Sequence, residues 1–173
     1  MRIVELILDP TDEQSGIEAI SVVETPAIEE NFIALNKHEV LLKEVDKEKR
    51  ILMGAALVPN KQIFRRNEKT DEDYYIFFSE DTVRKASELY FQKSNHQNAT
   101  LEHSEKLKGT TIVESWIVED SKTDKSALYG MDLPKGTWMV SMKIEDDALY
   151  EKAKTGEVKG FSIEGYFADK YEM

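Results

Sequence analysis

The sequence contains no cysteine and only three histidines, the residues on which most metal and redox sites depend. Without a thiol the chain can form neither a disulfide nor a thiolate metal site, and cysteine-protease chemistry is excluded. His38, His96 and His103 do not show the spacing of zinc ligands. We therefore predict a protein that uses no metal ion and no cofactor.

Long apolar runs and clusters of basic residues are also missing. No stretch approaches the roughly 20 apolar residues that a membrane span requires, and the N-terminal run 1–10 is too short for a secretion signal. The net charge is −11, whereas phosphate binding needs clustered lysine and arginine. The short basic run 61–66 is interpreted as a solvated loop. We therefore expect an intracellular protein that binds neither membrane nor nucleic acid.

The hydrophobic pattern predicts a protein in which strands predominate. A chain of 173 residues is long enough for one ordinary domain. Strand patterns cover residues 2–8, 17–23, 51–58, 74–78, 110–118, 137–144 and 158–167, and helical patterns cover 80–93 and 146–154. Residues 51–58 and 74–78 are interpreted as hairpin partners, and 27–35 as a candidate helix. We expect an α+β, mostly β fold: a small antiparallel β-barrel with short flanking helices.

Ser162 is the candidate nucleophile. Alternation along the predicted strand 158–167 places Ser162 and Glu164 on one face and Phe161 and Ile163 on the other. The surrounding sequence is not a GxSxG nucleophile elbow, because no helix follows the serine. On its own, a serine on the exposed face of a strand is more often structural, so the hypothesis needs a base nearby.

His103 is the candidate general base. It follows the polar loop 94–100 and precedes the predicted strand 110–118, so we expect it at the end of a loop. An imidazole titrates near neutrality and can both accept the serine proton and return it to a leaving amine. The alternative is an ordinary surface histidine among charged neighbours.

Glu114 is the candidate for a third group that orients the imidazole. It lies between Ile112 and Trp116 on an apparently apolar face of a predicted strand. A carboxylate in such a place is costly unless it is paired. The alternative is an edge strand that leaves Glu114 solvated.

The sequence resembles the XkdF-like phage serine proteases, a branch of the prohead maturation proteases. The resemblance extends over residues 20–35, 50–65, 101–120, 134–144 and 156–167. In that family a loop histidine followed by a strand supplies the base, and a serine in a V-x-G-[FL]-S strand supplies the nucleophile. Carried over, these residues are His103 and Ser162. The family also resembles the herpesvirus assemblins, which implies a β-barrel surrounded by helices.

One departure from the family pattern concerns the order of the strands. Many prohead proteases have a strand similar to L-x-E-V-S-L-V-x-x-P-A after the nucleophile, whereas here the similar run, residues 17–27, precedes it. We therefore expect a circularly permuted domain in which 17–27 fill a strand position that the C-terminus leaves vacant. In those relatives an acidic residue stands two positions before the serine of this strand, and here that position is Ala19. This favours Glu114 as the acid, with a Ser–His dyad as the alternative.

The resemblance implies a serine endopeptidase that acts by an acyl-enzyme mechanism. Its substrates would be the phage scaffold and the termini of the major capsid protein, inside the immature capsid (prohead) in the host cytoplasm. It implies a weak homo-oligomer and makes Gly160 and Pro134–Gly136 candidates for the oxyanion hole. The alternative is an inactive assembly module that binds scaffold.

The chain is divided into three segments that together form one protease domain. Residues 1–36 supply N-terminal strands that pack on the barrel, 37–50 are a charged linker, and 51–173 are the catalytic core.

Overall fold

The computed structural model describes residues 1–34 and 49–170. The predicted linker therefore lies outside the described residues apart from Lys49 and Arg50. The strands are β1 (Arg2–Ile7), β2 (Gly16–Val23), β3 (Ile33–Ala34), β4 (Ile51–Leu57), β5 (Ile63–Asn67), β6 (Glu72–Phe77), β7 (Ala99–Leu101), β8 (Glu105–Lys106), β9 (Thr110–Ile117), β10 (Trp138–Ile144), β11 (Gly160–Tyr166) and β12 (Ala168–Asp169). The helices are α1 (Glu80–Gln92) and α2 (Asp147–Thr155), and two 3₁₀ helices cover Asn95–Gln97 and Lys125–Tyr129.

The described strands form three four-stranded sheets. The first sheet has the order β12-β1-β6-β5, the second β3-β4-β10-β9 and the third β11-β2-β7-β8. Most neighbours are antiparallel, but β1 pairs with β6 and β2 with β7 in parallel, which long crossover connections permit. The predicted mostly β fold is confirmed. The predicted antiparallel barrel is not, because within 1–34 and 49–170 the sheets are open and two pairings are parallel.

Three local predictions were wrong, and in each case strands pair differently from what the local sequence pattern indicated. Strand β4 pairs with β3 and β10, so residues 74–78 are not its hairpin partner. The basic run 61–66 is largely strand rather than loop, because β5 forms the hairpin with β6. The described part of 27–35 contains the short β3 and no helix.

The helix α1 closes the core on one side. Its N-terminus is capped by Ser79, whose Oγ accepts from the Thr82 N–H at 3.3 Å. Val83, Ala86 and Tyr90 follow at helical spacing, and all three are fully buried. No described helix is long and apolar enough to cross a membrane.

The third sheet covers the same core with its inner face. Ile20 and Val22 of β2 and Phe161 of β11 are fully buried there. Because side chains alternate along a strand, Ser21 and Ser162 lie on the other face of the sheet, where they too are buried. The two N-terminal strands are both hydrogen-bonded to later parts of the chain. Strand β1 pairs with β6, and strand β2 lies between β7 and β11. The circular permutation itself stays a prediction.

Candidate active site

Strands β2 and β11 place Ser162 directly opposite Ser21. The two residues are partners in the antiparallel register, and the flanking pairs Phe161–Val22 and Ile163–Ile20 belong to the other face. Ser162 is 8% exposed and lines a cavity of about 810 Å³. Ser162 is therefore largely covered but borders the cavity.

Ser162 belongs to a row of polar side chains that crosses the whole third sheet. Ser21 is also the register partner of Thr100 in β7, and Thr100 is the partner of Lys106 in β8. Partners in register carry their side chains on the same face. Ser162, Ser21, Thr100 and Lys106 therefore form one polar row, one residue from each strand.

The turn after β7 carries His103 and is fastened to β2. Glu102 and His103 have φ angles of 50° and 58°, in the left-handed region that residues with a Cβ rarely adopt. The Glu102 N–H donates to the Val22 carbonyl at 3.1 Å, and its carboxylate accepts from the Glu24 N–H at 2.6 Å. The His103 N–H donates to Ser21 Oγ at 2.9 Å. These bonds to β2 hold the turn in its unfavourable conformation.

Glu164 contacts the ring of His103. Its Oε1 accepts from His103 Nδ1 at 2.9 Å and from the Thr100 hydroxyl at 2.7 Å. A carboxylate in its ionised form can only accept, so this contact favours the tautomer with the ring hydrogen on Nδ1 and the lone pair on Nε2. This arrangement of acid, Nδ1–H and available Nε2 is the one that a serine nucleophile needs in its base.

Ser162 and His103 are brought to the same face but are not directly bonded. Glu164 lies two residues after Ser162 and holds the His103 ring, while Ser21 lies opposite Ser162 and holds the His103 backbone. Among the described residues, no hydrogen bond joins the Ser162 hydroxyl to the imidazole. Catalytic hydrogen bonds are commonly long without substrate and tighten when it binds.

Glu114 lies in a different sheet and has a different partner. It is on β9, and its two carboxylate oxygens accept from Lys125 Nζ at 2.8 and 2.6 Å. The hydrogen bond from Lys125 lowers the pKa of Glu114 and outweighs the opposing effect of burial. The strand β9 is an edge strand and Glu114 is partly exposed, so both the expected pairing and the alternative of a solvated edge apply in part; the pairing is with Lys125, and the structure does not support the predicted contact with His103.

Glu164 is the candidate site residue that the sequence reasoning missed. The alternation of the predicted strand already placed it on the face of Ser162. The second signal was the absence of an acid at Ala19, because Ala19 and Glu164 are register partners. These two observations are connected only by the pairing of β2 with β11. The sequence pattern of a single strand does not reveal its partner.

The two predicted oxyanion-hole segments are both engaged in structural contacts. A Cβ on Gly160 would lie 2.6 Å from Pro26 Cγ and 2.7 Å from the Glu30 carbonyl oxygen, so this glycine permits close packing. The Gly136 N–H donates to the Val118 carbonyl at 2.8 Å. That N–H is therefore not available to an oxyanion.

A protein-family model described as "Putative phage serine protease XkdF" matches residues 37–172. No curated protein and no solved structure matches the chain. The matched range contains His103, Ser162 and Glu164. It begins after β1 and β2, so Ser21 and Ala19 lie outside it.

Proposed function

Because the chain belongs to the phage serine protease XkdF family, we propose that it is a serine endopeptidase. Ser162 is the nucleophile, His103 the general base and Glu164 the acid that orients the base. One observation carries the proposal: the strand that presents Ser162 also presents the carboxylate that binds His103 Nδ1 at 2.9 Å. This contact supports the proposal because it holds the imidazole on the face of the sheet that carries Ser162.

The proposed reaction proceeds through an acyl-enzyme. Ser162 Oγ attacks the scissile carbonyl carbon while His103 Nε2 takes the hydroxyl proton. Glu164 stabilises the imidazolium that forms. The C–N bond then breaks, and the imidazolium gives its proton to the leaving amine. Water attacks the ester, with His103 again as base, and the acid product leaves as Ser162 regains its proton.

The finer proposal is that the enzyme acts in the prohead. Its substrates there are the scaffold and the termini of the major capsid protein, and weak self-association restricts activity to the crowded capsid interior. The support for this step is the phage family and its resemblance to prohead maturation proteases. The general hydrolase chemistry does not depend on it.

The deciding experiment replaces Ser162 by alanine. Purified wild type and Ser162→Ala are incubated with scaffold and major capsid protein of the same phage, and products are identified by mass spectrometry. A fluorophosphonate probe reports serine reactivity separately. We expect cleavage and labelling by the wild type and neither by Ser162→Ala, with unchanged thermal unfolding. Ser104→Ala is the matched control, because this exposed serine lies beside His103 and its hydroxyl donates only to the Leu101 carbonyl.

Two results would argue against the proposal. Equal cleavage by wild type and Ser162→Ala would remove Ser162 from the chemistry. If the wild type is neither labelled nor active at any concentration, the chain is an assembly module that binds scaffold without cleaving it.

A further inference from the structure

The cavity beside Ser162 runs between β11 and the first sheet. Ser162, Ile163 and Gly165 line it from β11, and Ala27 and Ile28 line it from the segment after β2. The opposite wall is the face of the first sheet that β1, β6 and β5 share. At about 810 Å³, the cavity is large enough for several residues of an extended peptide.

The wall formed by the first sheet is ordered into rows by its register. Val4, Ile76 and Ile63 are register partners across β1, β6 and β5 and form an apolar row. Two residues further along each strand, Arg2, Tyr74 and Arg65 form a second row. Neighbouring rows are about 6–7 Å apart, since a strand rises about 3.3 Å per residue.

The two arginines of the second row differ in their partners. Arg2 is paired with Asp169 at 3.5 Å. Arg65 donates to the Phe64 carbonyl at 2.9 Å, and no carboxylate among the described residues is paired with it. Partial withdrawal from water lowers the pKa of Arg65, although a guanidinium stays charged throughout the physiological range. Arg65 is thus a cation that faces a cavity and has no counter-ion within residues 1–34 and 49–170.

The carboxylates that line the same cavity are already engaged. Asp73 accepts from Arg66 at 3.2 Å, and Asp169 is the partner of Arg2. Glu72 accepts from the Thr70 hydroxyl at 3.2 Å and lies one row beyond Arg65. The Thr70 hydroxyl is neutral and does not balance the charge of Glu72, but Glu72 lies further from the apolar row. Next to that row, the charge without an opposite partner in the described part of the chain is therefore positive, in a chain whose net charge is −11.

We infer that this cavity is the substrate-binding cleft and that it selects an extended peptide with one apolar and one acidic side chain two residues apart. The apolar side chain packs on Val4, Ile76 and Ile63, and the acidic side chain pairs with Arg65. Alternate side chains of an extended peptide point the same way at about the spacing of the two rows, so both contacts form together. This inference rests on the proposed function only in taking the peptide to be the substrate.

The test measures binding separately from cleavage. Ser162→Ala, which cannot turn over, is titrated against fluorescein-labelled alanine-based heptapeptides with one leucine. The residue two positions before or after that leucine is glutamate, glutamine or lysine, and fluorescence anisotropy gives Kd. We expect glutamate to bind about 3- to 10-fold more tightly than glutamine in one of the two directions, and lysine to bind least. The preference should decrease at high salt.

Variants at two arginines, one in the cavity and one remote from it, assign the preference to a residue. In the Ser162→Ala background, Arg65→Gln should remove the glutamate preference and Arg65→Glu should reverse it towards lysine. Arg84→Glu makes the same charge change on α1, where the exposed Arg84 is paired with Glu119 and does not line the cavity. It should leave the order of the peptides unchanged. Thermal unfolding shows that each variant is folded.

The outcomes separate this inference from the proposed protease activity. A ranking that does not depend on Arg65, or that changes equally with Arg84→Glu, overturns the cleft assignment even if the wild type cleaves scaffold. A ranking that follows Arg65 supports the cleft even if the wild type cleaves nothing, in which case the protease proposal fails alone.

Discussion

Ala19 and Glu164 are register partners across β2 and β11. Their Cβ atoms therefore lie on one face, at a separation of about 4.5–5.5 Å. Glu164 uses this position to reach Nδ1 of His103. A carboxylate attached to either strand would thus start from almost the same place. The relationship leads to two predictions about the acid that serves the histidine.

Replacing Glu164 by glutamine should reduce kcat strongly. The amide keeps the size of the side chain but removes the negative charge, and its NH₂ group can donate to Nδ1 and favour the unproductive tautomer. We expect kcat to fall by roughly 10²–10⁴-fold with little change in KM. Steady-state kinetics on a peptide substrate and a thermal unfolding curve give the answer.

The control for this variant is Glu18→Gln. Glu18 is an exposed carboxylate on β2 next to Ala19, so its loss changes the net charge equally without touching His103. A Glu164→Gln enzyme as active as Glu18→Gln would show that the carboxylate plays no part in the chemistry.

Moving the acid from β11 to β2 should restore part of the activity. Starting from the inactive Glu164→Ala, a second substitution Ala19→Glu places a carboxylate on the partner residue of the same face. We expect at least about a 10-fold recovery of kcat, a small part of the general acid–base contribution. Glu164→Ala with Ala19→Gln is the matched control, because it adds the same bulk without charge. If both double variants are equally inactive, the acid must come from β11.

Removing the Ser21 hydroxyl should displace the base rather than the nucleophile. Ser21 is fully buried, and its Oγ accepts from the His103 N–H. We expect Ser21→Ala to lower kcat by about 10-fold and stability by about 1 kcal/mol, with KM nearly constant. Ser21→Thr, which keeps the acceptor, should recover part of kcat and so distinguish positioning from packing.

Thr110→Val is the control for loss of a buried hydroxyl. The Thr110 Oγ1 has no hydrogen-bond partner among the described residues, so its removal should be nearly neutral. A Ser21→Ala variant with normal kcat would show that the other bonds of the His103 turn suffice. Because Ser21 lies outside the range that the family model matches, this experiment also tests whether the N-terminal strands belong to the active enzyme.

The parts of the fold that the sequence predicted well are those in which local pattern and burial agree. The alternation around Phe161 and Ser162 placed the two side chains on opposite faces of β11, as the register has them, but the expected exposure of Ser162 was wrong because it is buried as well. The Ser79 cap and the apolar spacing of α1 likewise belong to one short segment. Such signals do not require knowledge of a partner strand.

The errors concern pairing over long distances in the chain. The parallel contact of β2 with β7 joins residues nearly 80 positions apart, and no local pattern specifies it. The same limitation explains the assignment of Glu114, whose need for a partner was evident although Lys125 was not identified. Glu164 was passed over because its proximity to His103 depends on three strands meeting in the third sheet.

Glu114 offers a final prediction, which separates an ion pair that stabilises the fold from an acid that serves catalysis. The hydrogen bond from Lys125 lowers the folded-state pKa of Glu114 below its ordinary value of 4.5. A lowered folded pKa means that the pair stabilises the protein above pH 4.5 and that this contribution is lost as pH falls through the folded value. Glu114→Gln should therefore reduce the free energy of unfolding at pH 7, by less than about 1 kcal/mol because the pair is partly exposed.

Stability measured against pH and kcat measured at pH 7 together distinguish the roles of Glu114 and Glu164. Denaturant unfolding should show the difference between wild type and Glu114→Gln at pH 7, and the difference should shrink towards zero well below pH 4.5. Glu119→Gln, which removes a more exposed carboxylate, controls for the change in net charge. At pH 7 the kcat of Glu114→Gln should equal that of the wild type. A loss of kcat comparable to that of Glu164→Gln, with stability unchanged, would instead restore Glu114 as the catalytic acid and leave the contact of Glu164 with His103 as a structural one.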